Sequence, residues 1–446
     1  MGKGEFWGYY LPHLEIGLAY GLFLLFINFI VFKKYIYSIF DPFVLNITMS
    51  SFAYSVVFFL YHMQLISDYY FLSFIATQTA FFLGFFVIKP VSIKKTMRTS
   101  VASSLHFSAT AKYLYYISAF SWIFSQLIVY YVAGIPLLMD SRLETFTGGT
   151  GFGVFNRIIL VTSTIALIVA LYKLFFTKSK LLSRYFDYFV LFFAIVVAFL
   201  SGSKSALLGL IFMMFFVVFF SYKIFSGTYA KVMLKKVRKK QWQLFGLAVF
   251  AALFTIVVQV TLKYGDSNSI NPLVHLAMRF VNTGDVYMNA YPNAFLEQMN
   301  SANPFAALFK DLLGMFRIVP WEDLPQHLGQ QLYQTMYNTD LIAGPNARHN
   351  VFGLHYFGPV WSVYFSFVLG MLVSFLRNGL YRKITPTVMG MIVYILLASN
   401  ALSLQSDPPY AISKYISVFT MFAFLWGIAY LLANVQKTKK VRGFHE

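Results

Sequence analysis

"LPHLEIGLAYGLFLLFINFIVFKK", residues 11 to 34, sets a long apolar run against a closing pair of lysines, Lys33 and Lys34. Crossing the hydrocarbon of a bilayer takes about 20 mostly apolar residues in a helix, and lysines collect on the cytoplasmic side of such a run. Neither a basic stretch nor a small-residue cleavage site precedes it, so it is expected to be a span and not a cleaved leader. The rest of the chain repeats this unit. Eleven spans are expected, at 11–32, 43–62, 69–88, 113–135, 154–174, 186–201, 204–222, 242–262, 351–376, 385–402 and 412–434.

Composition agrees. Of the 446 residues 59% are hydrophobic and 11% charged, against about 25% charged in a soluble domain. The 52 Phe and 31 Tyr suit helices packed in lipid with aromatic rings at the interfaces. The expected fold is an all-α polytopic membrane protein forming one transmembrane domain over 1–446. No cysteine is present, which excludes disulfides, a thiolate zinc site and a cysteine nucleophile. The eight histidines are scattered without HExxH spacing, so no metal is expected, and the glycine-rich 148–153 lacks the Lys-Ser or Lys-Thr of a phosphate loop.

A net charge of +19 would point to nucleic acid in a soluble chain, but here the basic residues lie in short blocks between spans. Twenty-five of the 35 occupy alternate connections, which assigns those connections to the cytoplasm. The longest connection, 263–350, then faces outward, and a segment of that length is too long for a plain linker. Within it, "NPFAALFKDLLGMF" predicts an amphipathic helix capped by Asn303.

The other ten cations break the rule. Arg157, Lys204, Arg348 and Lys414 stand at the starts of outward-beginning spans, where the helix dipole is already positive. A cation there is misplaced unless an anion completes the site, so a bound anion at the outer face is expected. The bland alternative is pairing with outward carboxylates or headgroups. Mid-span positions are nearly free of charge and no internal repeat is evident, which favours chemistry at the membrane surface over transport through it.

Three segments carry a resemblance: "GIPLLMDSRLETFTGGTGFGVFNR" (134–157), "SGSKSALLGL" (201–210) and "ARHNVFGLHYFGPVWS" (347–362). Together with the late outward loop, they make the chain similar to bacterial O-antigen polymerases of the Wzy type. The resemblance implies a GT-C-like glycosyltransferase in the bacterial inner membrane, with its active site on the periplasmic side and neither nucleotide sugar nor other cofactor. It would transfer the growing glycan from undecaprenyl diphosphate to the non-reducing end of a new undecaprenyl-diphosphate-linked unit. Membrane lipid and a chain-length-regulating co-polymerase are the further partners it implies. Arg142, Arg157, Lys204, Lys263, Arg279, Arg317 and Arg348 then become candidates for binding the diphosphates. His349 becomes the candidate general base with Asp285 in reserve, and Asn350 the cap of the ninth span. An O-antigen ligase and a flippase are the alternatives.

Overall fold

The computed structural model describes residues 3–93, 95–96, 107–138, 152–177, 180–201, 204–225, 278–299, 303–339 and 343–442, with 235, 239, 242, 243 and 246 singly. The expected eighth span, 242–262, lies outside the described residues. Those described are helical, with no strand among them. The helices are α1 Lys3–Tyr10, α2 Leu14–Phe32, α3 Pro42–His62, α4 Asp68–Phe86, α5 Ala109–Ala133, α6 Phe152–Phe176, α7 Leu181–Leu200, α8 Lys204–Ile224 and α9 Asp285–Ala290. They continue as α10 Phe295–Gln298, α11 Pro304–Leu308, α12 Lys310–Met315, α13 Leu328–Tyr337, α14 His349–Ser374, α15 Leu380–Lys383, α16 Val388–Ala398, α17 Ser403–Ser406 and α18 Pro408–Arg442. Ten helical stretches among the described residues are long and apolar enough to cross a membrane. This is a multi-pass membrane protein.

Two compact units divide the chain: residues 1–90, 267–380 and 400–413 form the first, and 91–266, 381–399 and 414–446 the second. The first is built on α4 and α14. Gly84 abuts the carbonyl of Phe367 and Gly370 abuts that of Phe81, each with no room for a Cβ, so the two backbones touch. Without a hydrophobic driving force between helices in lipid, small residues that permit such approach are what hold a crossing together.

One end of this unit is tied by polar contacts. Arg377 Nη2 pairs with Asp41 at 3.1 and 3.0 Å, Tyr37 donates to Asn378 Oδ1 at 2.5 Å, and Tyr35 and Ser374 both donate to the carbonyl of Ile88. The ends of the first, third and ninth expected spans therefore meet, as alternation requires. Asp41 also caps α3 by accepting from the Phe43 amide at 2.9 Å.

The expected ninth span, 351–376, is not one rod. Gly358 has φ +71, open to glycine and costly for other residues, and Pro359 follows it. Beyond this break the chain doubles back. A Cβ on Gly353 would lie 3.1 Å from Ser362 and 3.3 Å from Phe365, whereas nine residues of continuous helix would separate the first pair by about 14 Å. Phe352 and Phe357 both contact the Phe365 ring, at 5.8 and 4.9 Å. So α14 is a helical hairpin: a short limb from His349 to Phe357 and a long limb from Pro359 onward. Along the long limb Val360, Tyr364, Val368 and Leu372 are exposed at a spacing of four, which is a lipid-facing stripe.

The segment 303–316 also differs from expectation. Asn303 does cap, accepting from the Phe305 and Ala306 amides, but the helix breaks at Phe309 into α11 and α12, and Phe305 and Phe316 point to the surface. The stripe is thus not buried as one face.

In the second unit α6 packs against α5, α7, α8 and α16. Lys173 is buried there against Asp187 at 2.6 Å, and Ser183 and Tyr115 complete the pair at 2.9 and 2.7 Å. Lys223 donates to the carbonyls of Tyr381, Arg382 and Ile384. Both lysines count toward the inside charge in the sequence, yet they act as internal staples.

If the α4–α14 contact carries the unit, Gly370→Ala should destabilise by about 1–3 kcal/mol through overpacking. Gly427→Ala, which meets nothing within 4 Å, should be neutral or gain up to about 1 kcal/mol from helix propensity. Thermal unfolding in detergent checks both signs.

Candidate functional site

Arg348 and His349 open the short limb of α14, and their neighbours fix how deep they lie. Arg348 Nη1 donates to Ser50 Oγ at 3.5 Å, and its guanidinium lies 5.6 Å from the Tyr54 ring centre. Those two residues flank the midpoint of α3. The Asn350 amide donates to Thr77 Oγ1 at 3.0 Å, and Thr77 is the midpoint of α4. The His349 ring stands 4.8 Å from that of Phe81, further along α4. The short limb therefore starts halfway down the unit. This corrects the expectation that Arg348 and His349 sit at the outer mouth of a span. The reason is the reversal at Gly358, which turns residues 349–357 back alongside the long limb.

Two other interrupted stretches reach the same depth. Thr283 donates to the carbonyl of Met49 at 2.9 Å, and a Cβ on Gly284 would lie 2.7 Å from that of Ala53. Tyr287 then donates to Asn350 Oδ1 at 2.7 Å. From the other side, the carbonyl of Gln405 accepts from His349 Nδ1 at 3.1 Å while the Gln405 amide donates to the Tyr54 hydroxyl. Part of the long connection 263–350, expected wholly outside, is thus folded into the unit. Irregular backbone is tolerated at such depth only where protein groups satisfy it. Side chains do so here: Arg348 Nε donates to the freed carbonyl of Thr283 at 3.2 Å, and His349 to that of Gln405.

The electrostatics of Arg348 set it apart. It is 5% exposed, and no carboxylate among the described residues forms an ion pair with it. Its partners are neutral oxygens, whereas buried Arg377 and Lys173 each have an aspartate. A buried cation compensated only by neutral dipoles keeps a strong attraction for an anion, because low dielectric weakens screening. His349 complements it. A carbonyl only accepts, so Nδ1 carries the proton toward Gln405, and the neutral ring presents a lone pair at Nε2. That nitrogen is buried without a hydrogen-bond partner, as are both amide atoms of Gln78.

The remaining predicted residues are not drawn together. Asp285 is half-buried in the first turn of α9, two residues before Tyr287, so the two side chains leave the helix on different sides. Arg279 is exposed, and Arg317 is exposed at a left-handed φ of 52 after α12. Arg157 lies in α6 of the second unit. Arg142, Lys263 and the side chain of Lys204 lie outside the described residues. Asn350 does not cap α14; it sits inside the first turn and bridges Tyr287 to Thr77. Ser50, Tyr54, Thr77, Gln78, Thr283, Tyr287 and Gln405 are site residues the sequence reading missed. For Ser50, Tyr54, Thr77 and Gln78 the signal was present as polar side chains inside apolar spans, which in a membrane are functional candidates by default; Thr283, Tyr287 and Gln405 lie in segments expected to be connections and carried no such signal.

Compared with family models, curated proteins and solved structures, the chain matches none.

Asn350→Ala should leave the Tyr287 and Thr77 hydroxyls buried and unpaired on that side, lowering stability by about 1–3 kcal/mol. Thr77→Val keeps the Tyr287 bond and should cost less. Thermal unfolding of the two variants in one detergent tests the order.

Proposed function

We propose that this membrane protein is a glycosyltransferase that polymerises lipid-linked oligosaccharide repeat units at the outer face of the bacterial inner membrane. The observation that carries the reading is Arg348, a buried guanidinium surrounded by neutral oxygens and adjoining a histidine with a bare ring nitrogen. A lipid-linked diphosphate brings the anion that such a cation lacks, and the polyprenyl chain lets it enter from the bilayer.

The chemistry needs two things. As the anomeric carbon leaves the diphosphate oxygen, negative charge grows on that oxygen, and a preorganised cation in a dry site stabilises it. As the acceptor hydroxyl of the next unit bonds to the anomeric carbon, its proton must go to a base. Arg348 fills the first role and His349 Nε2 the second, with Gln405 holding the ring by Nδ1. Undecaprenyl diphosphate leaves, and the chain has grown by one unit. Arg279, Arg317, Arg157, Arg142, Lys204 and Lys263 remain candidates for guiding the headgroups, and Asp285 for a supporting acid–base role.

One observation favours a second reading. A helix limb that begins at mid-depth beside an unpaired cation is also how transporters hold an anionic group in passage. The distinction is whether a covalent bond forms.

Purified protein in lipid, given synthetic undecaprenyl-diphosphate repeat unit as sole substrate, should yield a ladder of multimers. Arg348→Gln should slow it by about 100- to 1,000-fold and His349→Gln by about 100- to 10,000-fold, with folding checked by gel filtration and thermal unfolding. Glycan moved only when lipid A-core is added would replace polymerase by ligase. Passage of the lipid-linked unit across vesicles without any ladder would replace it by transport.

A further inference from the structure

On α13 the residues Gln331, Gln334 and Thr335 fall three and four apart, and so on one face. Leu328 and Leu332, on the adjoining face, are apolar and buried. Gln331 and Gln334 are half-buried and Thr335 is exposed, so this face opens to solvent. With Gln298, Met299 and Gln326 it lines a cavity of about 280 Å³, at the small end of the range of about 300–1,000 Å³ for ligand pockets. Gln331 Nε2 donates to the carbonyl of Gln326 at 2.8 Å, which holds that amide in place.

The lining selects its ligand by elimination. Four carboxamides, one hydroxyl and one thioether carry no formal charge, so neither an anion nor a cation finds a counter-charge. An apolar ligand would strip water from amides and return no hydrogen bond. A carboxamide presents an acceptor and two donors side by side. The ligand that uses both is neutral and offers adjacent groups that donate and accept, as vicinal hydroxyls do. We propose that this cavity is a saccharide-binding subsite for the neutral sugar end of the substrate; that the sugar belongs to a lipid-linked glycan rests on the polymerase reading.

Its place in the fold fits such a role. Gly329, at the start of α13, abuts the carbonyl of Pro345 with no room for a Cβ, and Gly344 in turn meets the carbonyl of Gly329. The helix that carries the glutamines is therefore seated directly on the strand of chain that enters Arg348. Sugar held against α13 would be coupled through this contact to the segment that positions the cation.

The full-length protein in lipid nanodiscs would be tested with two probes. Methyl glycosides of glucose, galactose, rhamnose and N-acetylglucosamine, read by saturation-transfer NMR, report the cavity. Undecaprenyl diphosphate, read by its effect on the unfolding temperature, reports the Arg348 site. At least one glycoside should bind, and Gln331→Leu and Gln334→Leu should each weaken it by about tenfold, while the response to undecaprenyl diphosphate stays as in wild type. Glycoside binding unchanged in both variants, or no signal from any of the four, would overturn the subsite while leaving the polymerase reading to its own assay. Retained glycoside binding with no response to undecaprenyl diphosphate would instead support the subsite and count against the diphosphate site.

Discussion

The first unit depends on one backbone-to-backbone contact. Where Gly84 and Gly370 meet, α4 and the long limb of α14 run side by side with no side chain between them. That contact sets the register of everything bound to either helix. Given that register, and the reversal at Gly358, Asn350 arrives opposite Thr77 and Arg348 opposite Ser50 and Tyr54. Irregular backbone can be buried at mid-depth where side chains reach its carbonyls, as Arg348 does for Thr283 and His349 for Gln405.

Three buried cations among the described residues differ in how they are paired. Arg377 has a bidentate aspartate, and Lys173 has an aspartate shared with a tyrosine and close to a serine. Each is a closed unit whose charge is already balanced, and each ties helices together. Arg348 is held as firmly, but by a carbonyl, a hydroxyl and an aromatic face. Neutral dipoles offset part of the desolvation cost and leave the net charge in place. Buried aspartates balance the other two, and none among the described residues balances this one.

The two polar regions of the first unit differ in kind and lie along one stretch of chain. Amides line an open pocket beside α13, whereas Arg348 is a single buried charge. The connection through Gly329 and Pro345 is steric, because each glycine can be replaced only by moving a backbone.

The membrane class, the rough position of the described spans and the shared end of the first, third and ninth were legible from apolar run length and lysine placement, because the bilayer acts on each segment separately. The oddity of Arg348 and His349 was legible too, as charge where a helix dipole disfavours it. Their depth was not. A run of apolar residues reads the same whether it is one span or a hairpin, and "FGPVW" at 357–361 becomes a reversal only when Gly353 packs on Ser362. Likewise Tyr54, Thr77 and Gln78 are single polar letters in apolar text, since what joins them is the packing of α3 and α4 with α14 and not their spacing. Local solvation wrote the topology into the sequence, whereas the site is made of long-range contacts between segments hundreds of residues apart, which only packing brings into reach.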